Sequence, residues 1–259
     1  MIFGLIGIGI EAREEPSSFA QTSADDAEYA ARYGLLELNG LPDWMSDLFR
    51  LHPETVQDIV LREIDAELTE DPECLSCDIS RKVRWSGSWM HEPLAAPLMA
   101  RLEKAQKSLE ATQIALSIVQ ENATISDEDL ARLDSKRAEN EADVEIAPTW
   151  YGVWIGAEPS LGIPALAARI HTLPTAEMKA KFAMLCLIVI VGNRLTSRSR
   201  ENYKTVQHAK TLYLLIHTHV RVADDIDRVG KGVFSPELRD DAQAARETGL
   251  RCILHRAFP

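Results

Sequence analysis

The chain has 259 residues, a net charge of −12 and 46% hydrophobic residues. That acidity excludes a nucleic-acid partner that needs a basic stripe, while the hydrophobic fraction is enough for a sizeable core. Four cysteines, at 74, 77, 186 and 252, are too few and too scattered for a disulfide scaffold, so a reducing, cytoplasmic setting is expected.

Residues 1–10 are apolar, with three glycines and no cap. They have no Lys or Arg ahead of the apolar run and no small-residue cleavage pattern, so they do not read as a signal peptide. Residues 11–23 read as a polar loop. Thr22 or Ser23 then caps a helix running through Asn39, with Asp25 and Asp26 in its first turn. Ala27, Ala30, Ala31, Leu35 and Leu38 form its apolar face, and Asn39-Gly40 ends it.

The stretch 41–53 follows. Pro42 suits a first helical turn, where its missing N–H is no loss, and Trp44, Met45, Leu48, Phe49 and Leu51 give one apolar face. Pro53 stops that helix and starts another. In the second helix Val56, Ile59, Val60, Ile64 and Leu68 recur at helical spacing.

Residues 70–93 are the least regular part. The spacing then predicts one long helix over 94–121, because Leu98, Leu102, Ala105, Leu109, Thr112, Leu116 and Val119 make a heptad seam. Ser126 caps the next helix, and 134–146 read as a charged, mobile connection. A second tryptophan unit runs from Pro148 to about Pro174. Residues 175–192 form the expected central buried helix. Its apolar run 182–191 is about half of what spans a bilayer, so no membrane segment is expected. Residues 195–202 read as a basic loop, 203–222 as a helix faced by Val206, Ala209, Leu212, Tyr213, Ile216 and Val220, and 223–234 as a loop. Ser235-Pro236-Glu237 starts the last helix. No strand is expected.

The two tryptophan units match. Trp150 stands to Pro159 as Trp44 stands to Pro53, and Trp154 takes the place of Leu48. Leu166 and Ile170 fall where Val60 and Ile64 fall. Trp85, Trp89 and Pro93 make a looser echo with one residue fewer. Such repetition implies helix pairs that stack because none can bury its face alone. Trp44, Pro53, Trp150, Trp154 and Pro159 are therefore read as repeat anchors rather than as the lining of a ligand groove.

Chemistry-bearing patterns are sparse. Cys74 and Cys77 have the spacing of half a zinc knuckle, but His91 has no second histidine three to five residues beyond it. His217 and His219, two apart on a helix, point to different sides. Asp224, Asp225, Asp227, Gly230 and Gly232 begin like a calcium loop, which fails at Val229 and at Pro236, where a glutamate is needed. Arg228, Lys231, Arg239, Asp240 and Asp241 supply partners of both signs, so an ion-pair or interaction loop is the favoured reading. Gly230-Lys231 lacks the rest of a phosphate loop, and Ser86 and Ser88 have no base partner. No catalytic residue, metal or cofactor is assigned.

The segments Ala31-Arg-Tyr-Gly-Leu-Leu-Glu-Leu-Asn-Gly-Leu-Pro-Asp-Trp44, His52-Pro53-Glu54, Val220-Arg-Val-Ala-Asp-Asp-Ile-Asp-Arg228 and Gly232-Val-Phe-Ser-Pro-Glu-Leu-Arg-Asp-Asp-Ala-Gln-Ala-Ala-Arg246 resemble the helical-repeat region of very large bacterial proteins. Those proteins carry a NACHT-like, STAND-type nucleotide-binding module elsewhere. The resemblance covers most of residues 25–250. It implies a sensor or scaffold half linked by analogy to defence against phage. No Walker motif is present here, so nucleotide binding is carried over to no residue.

The expectation is an all-α, HEAT-like solenoid of stacked antiparallel helix pairs, about nine to ten helices in one continuous array. Its segments are 1–145 and 146–259. The expected role is a non-catalytic scaffold or sensor. Its expected partner is a protein, with a separate or formerly fused nucleotide-binding module as the one the resemblance implies. No nucleic acid, membrane or small-molecule substrate is expected. The alternative is a metal-dependent enzyme built on the acidic cluster Asp224–Asp241. The lack of polar capping repeats at either end reads as a fragment of a larger protein.

Overall fold

The computed structural model describes residues 2–14, 18–70, 76–104, 106–192, 200–221, 250–251 and 253–254. Among these the protein is all-helical, with no strand. Twelve α-helices are described, more than the nine to ten expected, and they fall in two compact units, Met1–Thr124 and Ile125–Pro259.

The first unit holds α1 (Ile2–Glu14), α2 (Ala24–Leu35), α3 (Trp44–Leu51), α4 (Pro53–Thr69), α5 (Asp78–Ser86), α6 (His91–Leu102) and α7 (Leu109–Glu121). Helix α1 corrects the reading of an uncapped start followed by a loop. It packs on α2 and α3. A Cβ on Gly9 would stand 3.8 Å from the Trp44 indole nitrogen.

Helix α2 begins as expected at Ser23, whose Oγ accepts from the Asp26 N–H and donates to its carboxylate. It stops at Leu35, four residues early, because Lys82 Nζ reaches the Leu35 carbonyl at 2.6 Å and caps the helix end. Leu38, placed by periodicity on the apolar face, is 90% exposed.

The single helix expected over 94–121 is two. Ser108 is a helix start, extended in backbone and accepting from the Ala111 N–H. Gln106 Nε2 satisfies the carbonyls of Arg101 and Lys104, and the Lys107 N–H donates to Leu68 O on α4. Of the expected seam, Leu98, Leu102, Thr112, Leu116 and Val119 are buried, Leu109 is half-buried, and Ala105 lies outside the described residues. The two helices pack together instead of forming one continuous rod. Pro97 sits inside α6. The Pro93 carbonyl that its missing N–H leaves free accepts instead from Gln57 Nε2 at 3.1 Å.

The second unit holds α8 (Asp127–Asn140), α9 (Ala147–Ala157), α10 (Pro159–Thr172), α11 (Ala176–Val191) and α12 (Val206–His219). Its centre is α9, every residue of which is buried; α8, α10 and α11 all pack on it. The central place had been expected of α11. That helix buries Phe182, Ala183, Cys186, Leu187, Val189 and Ile190 but exposes its first turn. Gly152 on α9 lets α11 approach: a Cβ there would stand 2.6 Å from Val189 Cγ1. Helix α12 starts late, at the cap Thr205. Val206, read as part of its apolar face, is 52% exposed, while Ala209, Leu212, Ile216 and Val220 are buried.

Residues 134–146 are not a mobile connection. Helix α8 continues through Asn140 with Asp134, Arg137 and Ala138 buried. Asp143 Oδ1 then accepts from the Glu145 and Ile146 N–H groups ahead of α9. Helix α9 is apolar all round and needs cover on the side of α8, and that requirement outweighs local charge density.

Candidate functional site: an acidic groove and two buried carboxyl groups

The five repeat anchors occupy matching places. Trp44 opens α3 and is 9% exposed; Trp150 and Trp154 on α9 are 0% and 5% exposed. Pro53 and Pro159 are the first residues of α4 and α10. The residues before them have like backbones, His52 at φ −130°, ψ 57° and Glu158 at φ −141°, ψ 77°. Their N–H groups bond to Leu48 O and Trp154 O, at 2.8 and 2.7 Å. Val60, Ile64, Leu166 and Ile170 are all buried. Trp85 of the looser echo is 62% exposed under the Arg84 guanidinium.

The correspondence extends one helix further back than the tryptophans. Ser126 caps α8 through Asp129 as Ser23 caps α2 through Asp26. Counted from the caps, Ala31 and Asp134 share a place, as do Gly34 and Arg137. Both places are buried, and the second faces the tryptophan helix. A Cβ on Gly34 would meet Met45 Sδ at 2.9 Å and Trp44 Cη2 at 3.2 Å, whereas the Arg137 guanidinium lies 5.2 Å over the Trp150 ring. The tertiary arrangements differ, since α2 packs on α4 as well as on α3 while α8 packs chiefly on α9.

Trp44 also lines a surface groove of about 650 Å³. One wall is α1, with Ile6 and Ile10 about half exposed. The other comprises Leu41, Pro42, Asp43, Trp44 and Asp47. The connection from α2 to α3 is held in place at Gly40, whose φ of 124° suits glycine. A Cβ at Gly40 would meet Ser86 Oγ, the same hydroxyl that accepts from the Leu41 N–H at 2.8 Å. Among the described residues Glu37, Asp43 and Asp47 rim the groove, with Arg13 the cation in its lining and Arg50 paired to Asp47 at 3.1 Å. The site is therefore an apolar slot with an acidic edge. The sequence reading treated Trp44 as core alone, and the signal it passed over was the apolar side of α1.

Two buried carboxyl groups were also missed. Glu67 of α4 reaches the start of α5, where it accepts from the Ile79 N–H at 2.7 Å, the Ser80 N–H at 2.8 Å and the Ser80 hydroxyl at 2.5 Å. It supplies the cap that Cys77 does not. Burial pushes its pKa up, and these bonds oppose that. Asp134 of α8 is 0% exposed and neither of its oxygens has a hydrogen-bond partner, so burial alone drives its pKa well above the carboxylate range. Arg137, one turn on, pairs with Glu141 at 2.7 Å and leaves Asp134 alone.

Asp224, Asp225, Asp227, Arg228, Arg239, Asp240 and Asp241 lie outside the described residues, as does Cys74. Among the described residues no group of three His, Cys, Asp or Glu side chains is placed to hold a metal ion. Cys77 is buried beside Ser108 Oγ at 3.3 Å, and burial raises its thiol pKa. His217 stacks on Tyr213. No described helix is long and apolar enough to cross a membrane. Comparison with known proteins finds no family model, no curated protein and no solved structure that matches this chain.

Proposed function

We propose that this protein is a non-catalytic, HEAT-like helical-repeat module that acts as a scaffold or sensor by binding a protein segment, in partnership with a nucleotide-binding module of a bacterial defence system. The observation that carries the binding reading is the groove between α1 and Trp44, with its half-exposed isoleucines and acidic rim. Such a surface fits an amphipathic helix with basic residues on its polar face. Support for the repeat reading comes from the two triplets of capped helix, tryptophan helix and proline-started helix, and from the sequence resemblance.

The test uses a Lys/Leu amphipathic peptide and its Glu/Leu counterpart, titrated into the intact protein. The Lys/Leu peptide binds with saturation and the Glu/Leu peptide does not. Ile10→Asp makes the groove more acidic yet removes apolar contact, and it weakens binding about tenfold, since an apolar side chain of this size contributes about 1.5–3 kcal/mol when covered. Tighter binding by Ile10→Asp overturns the reading, because the peptide is then attracted by net charge alone.

A further inference from the structure

The second unit carries a pocket of about 580 Å³ between the first turns of α11 and the end of α12. Among the described residues its walls include Ala180, Met184 and Val220, with the cations Lys179, Lys181 and Arg221 and the imidazole of His219 against one acid, Glu177. This is a basic spot on a protein whose net charge is −12. Pockets of 300–1,000 Å³ with apolar walls and a few polar groups are the usual size for small ligands.

We propose that this pocket binds a small amphipathic carboxylate, an aliphatic or aryl acid whose body lies on Met184 and Val220 and whose anionic end meets Lys179 and His219. Lys181 is drawn away by Glu145 at 2.6 Å. Lys179 has no such partner among the described residues, and Arg221 lines the same pocket, so its cationic side matches an anionic end group. The two N–H groups ahead of the Thr175–Met178 capping bond have no helical partner and add positive potential at the same end. His219 is already held below its ordinary pKa by burial, by Lys179 and by His171 of α10. The other charged groups at the pocket are Glu177, Lys181 and Arg221. A bound anion relieves the repulsion from Lys179 and His171, so it raises the His219 pKa, and protonation of His219 in turn tightens binding.

The experiment is NMR of the full chain titrated with decanoate below its micelle concentration, with decanol and inorganic phosphate as separate arms. Decanoate gives saturable shifts at Met184 and His219 and moves the His219 titration midpoint upward. Decanol and phosphate each bind at least about tenfold more weakly, since each lacks one half of the recognition. Lys179→Met keeps the alkyl stem, leaves the melting temperature unchanged and weakens decanoate about tenfold. Equal binding of decanol, equal binding of phosphate, a His219 midpoint that stays put or falls, or full affinity in Lys179→Met each overturns the proposal.

Discussion

Asp134 is the residue at which burial and charge are in sharpest conflict. Its folded-state pKa is raised, so the folded protein holds the proton more tightly than the unfolded chain does. The corresponding stability is fully present below the unfolded value near 3.8 and is lost as pH rises toward the folded pKa. The slope is up to about 1.4 kcal/mol per pH unit. Asp134→Asn keeps the shape and removes the proton linkage. Urea denaturation at pH 4.5 and pH 7.5 should show the variant gaining on the wild type as pH rises. Glu67 has the same sign of linkage but is common to both proteins and cancels in the difference. A difference that does not change with pH would mean that Asp134 finds water or a partner in solution. The sequence hid this residue because Asp, Lys, Arg and Glu crowd 134–146, a density that ordinarily marks a solvated face. The stripe Leu130, Leu133, Ala138 was visible, and Asp134 and Arg137 fill its remaining places.

At the scale of elements, local signals set helix starts well. Ser23, Ser126, Thr175 and the two prolines each begin a helix where their chemistry says they should. Helix ends and breaks were less legible. The break before Ser108 is sealed by Gln106 and by Leu68 O, contacts that heptad spacing cannot reveal. The closeness of α9 and α11 was equally invisible, because it depends on a glycine meeting one particular valine. Gly152→Ala tests it. Alanine improves intrinsic helix stability by about 1 kcal/mol. Here its methyl would stand 2.6 Å from Val189 Cγ1 and 2.7 Å from Val189 Cβ. Overpacking of this kind costs about 1–3 kcal/mol. The variant should unfold at lower denaturant, and in a Val189→Gly background, which removes both Cγ1 and Cβ, the same Gly152→Ala change should cost much less. An equal loss in both backgrounds would place the strain elsewhere.

At the scale of the whole molecule, composition was the most legible level for class and charge. Apolar spacing at helical period and the lack of β-rich runs gave an all-helical chain. Which helices pack together was not readable from order alone, since the triplets α2–α4 and α8–α10 share caps and junctions yet pack differently. Charge makes a prediction that no single residue does. The protein carries 40 acidic and 28 basic residues. Several of its ion pairs are well exposed, among them Arg32–Glu28, Arg50–Asp47, Arg132–Asp129 and Lys181–Glu145, and such pairs contribute little to stability. The excess of negative charge therefore acts mainly as self-repulsion, which is stronger in the compact state than in the expanded one. Sodium chloride shortens the screening length from about 30 Å at 0.01 M to about 8 Å at 0.15 M, enough to cut repulsion between distant faces while leaving short or buried pairs such as Arg137–Glu141 largely intact. The thermal midpoint should rise over that range, and Asp43→Lys, which reverses one exposed acid, should rise less. A midpoint that falls with salt would mean that the ion pairs, not the net charge, dominate the electrostatics of the fold.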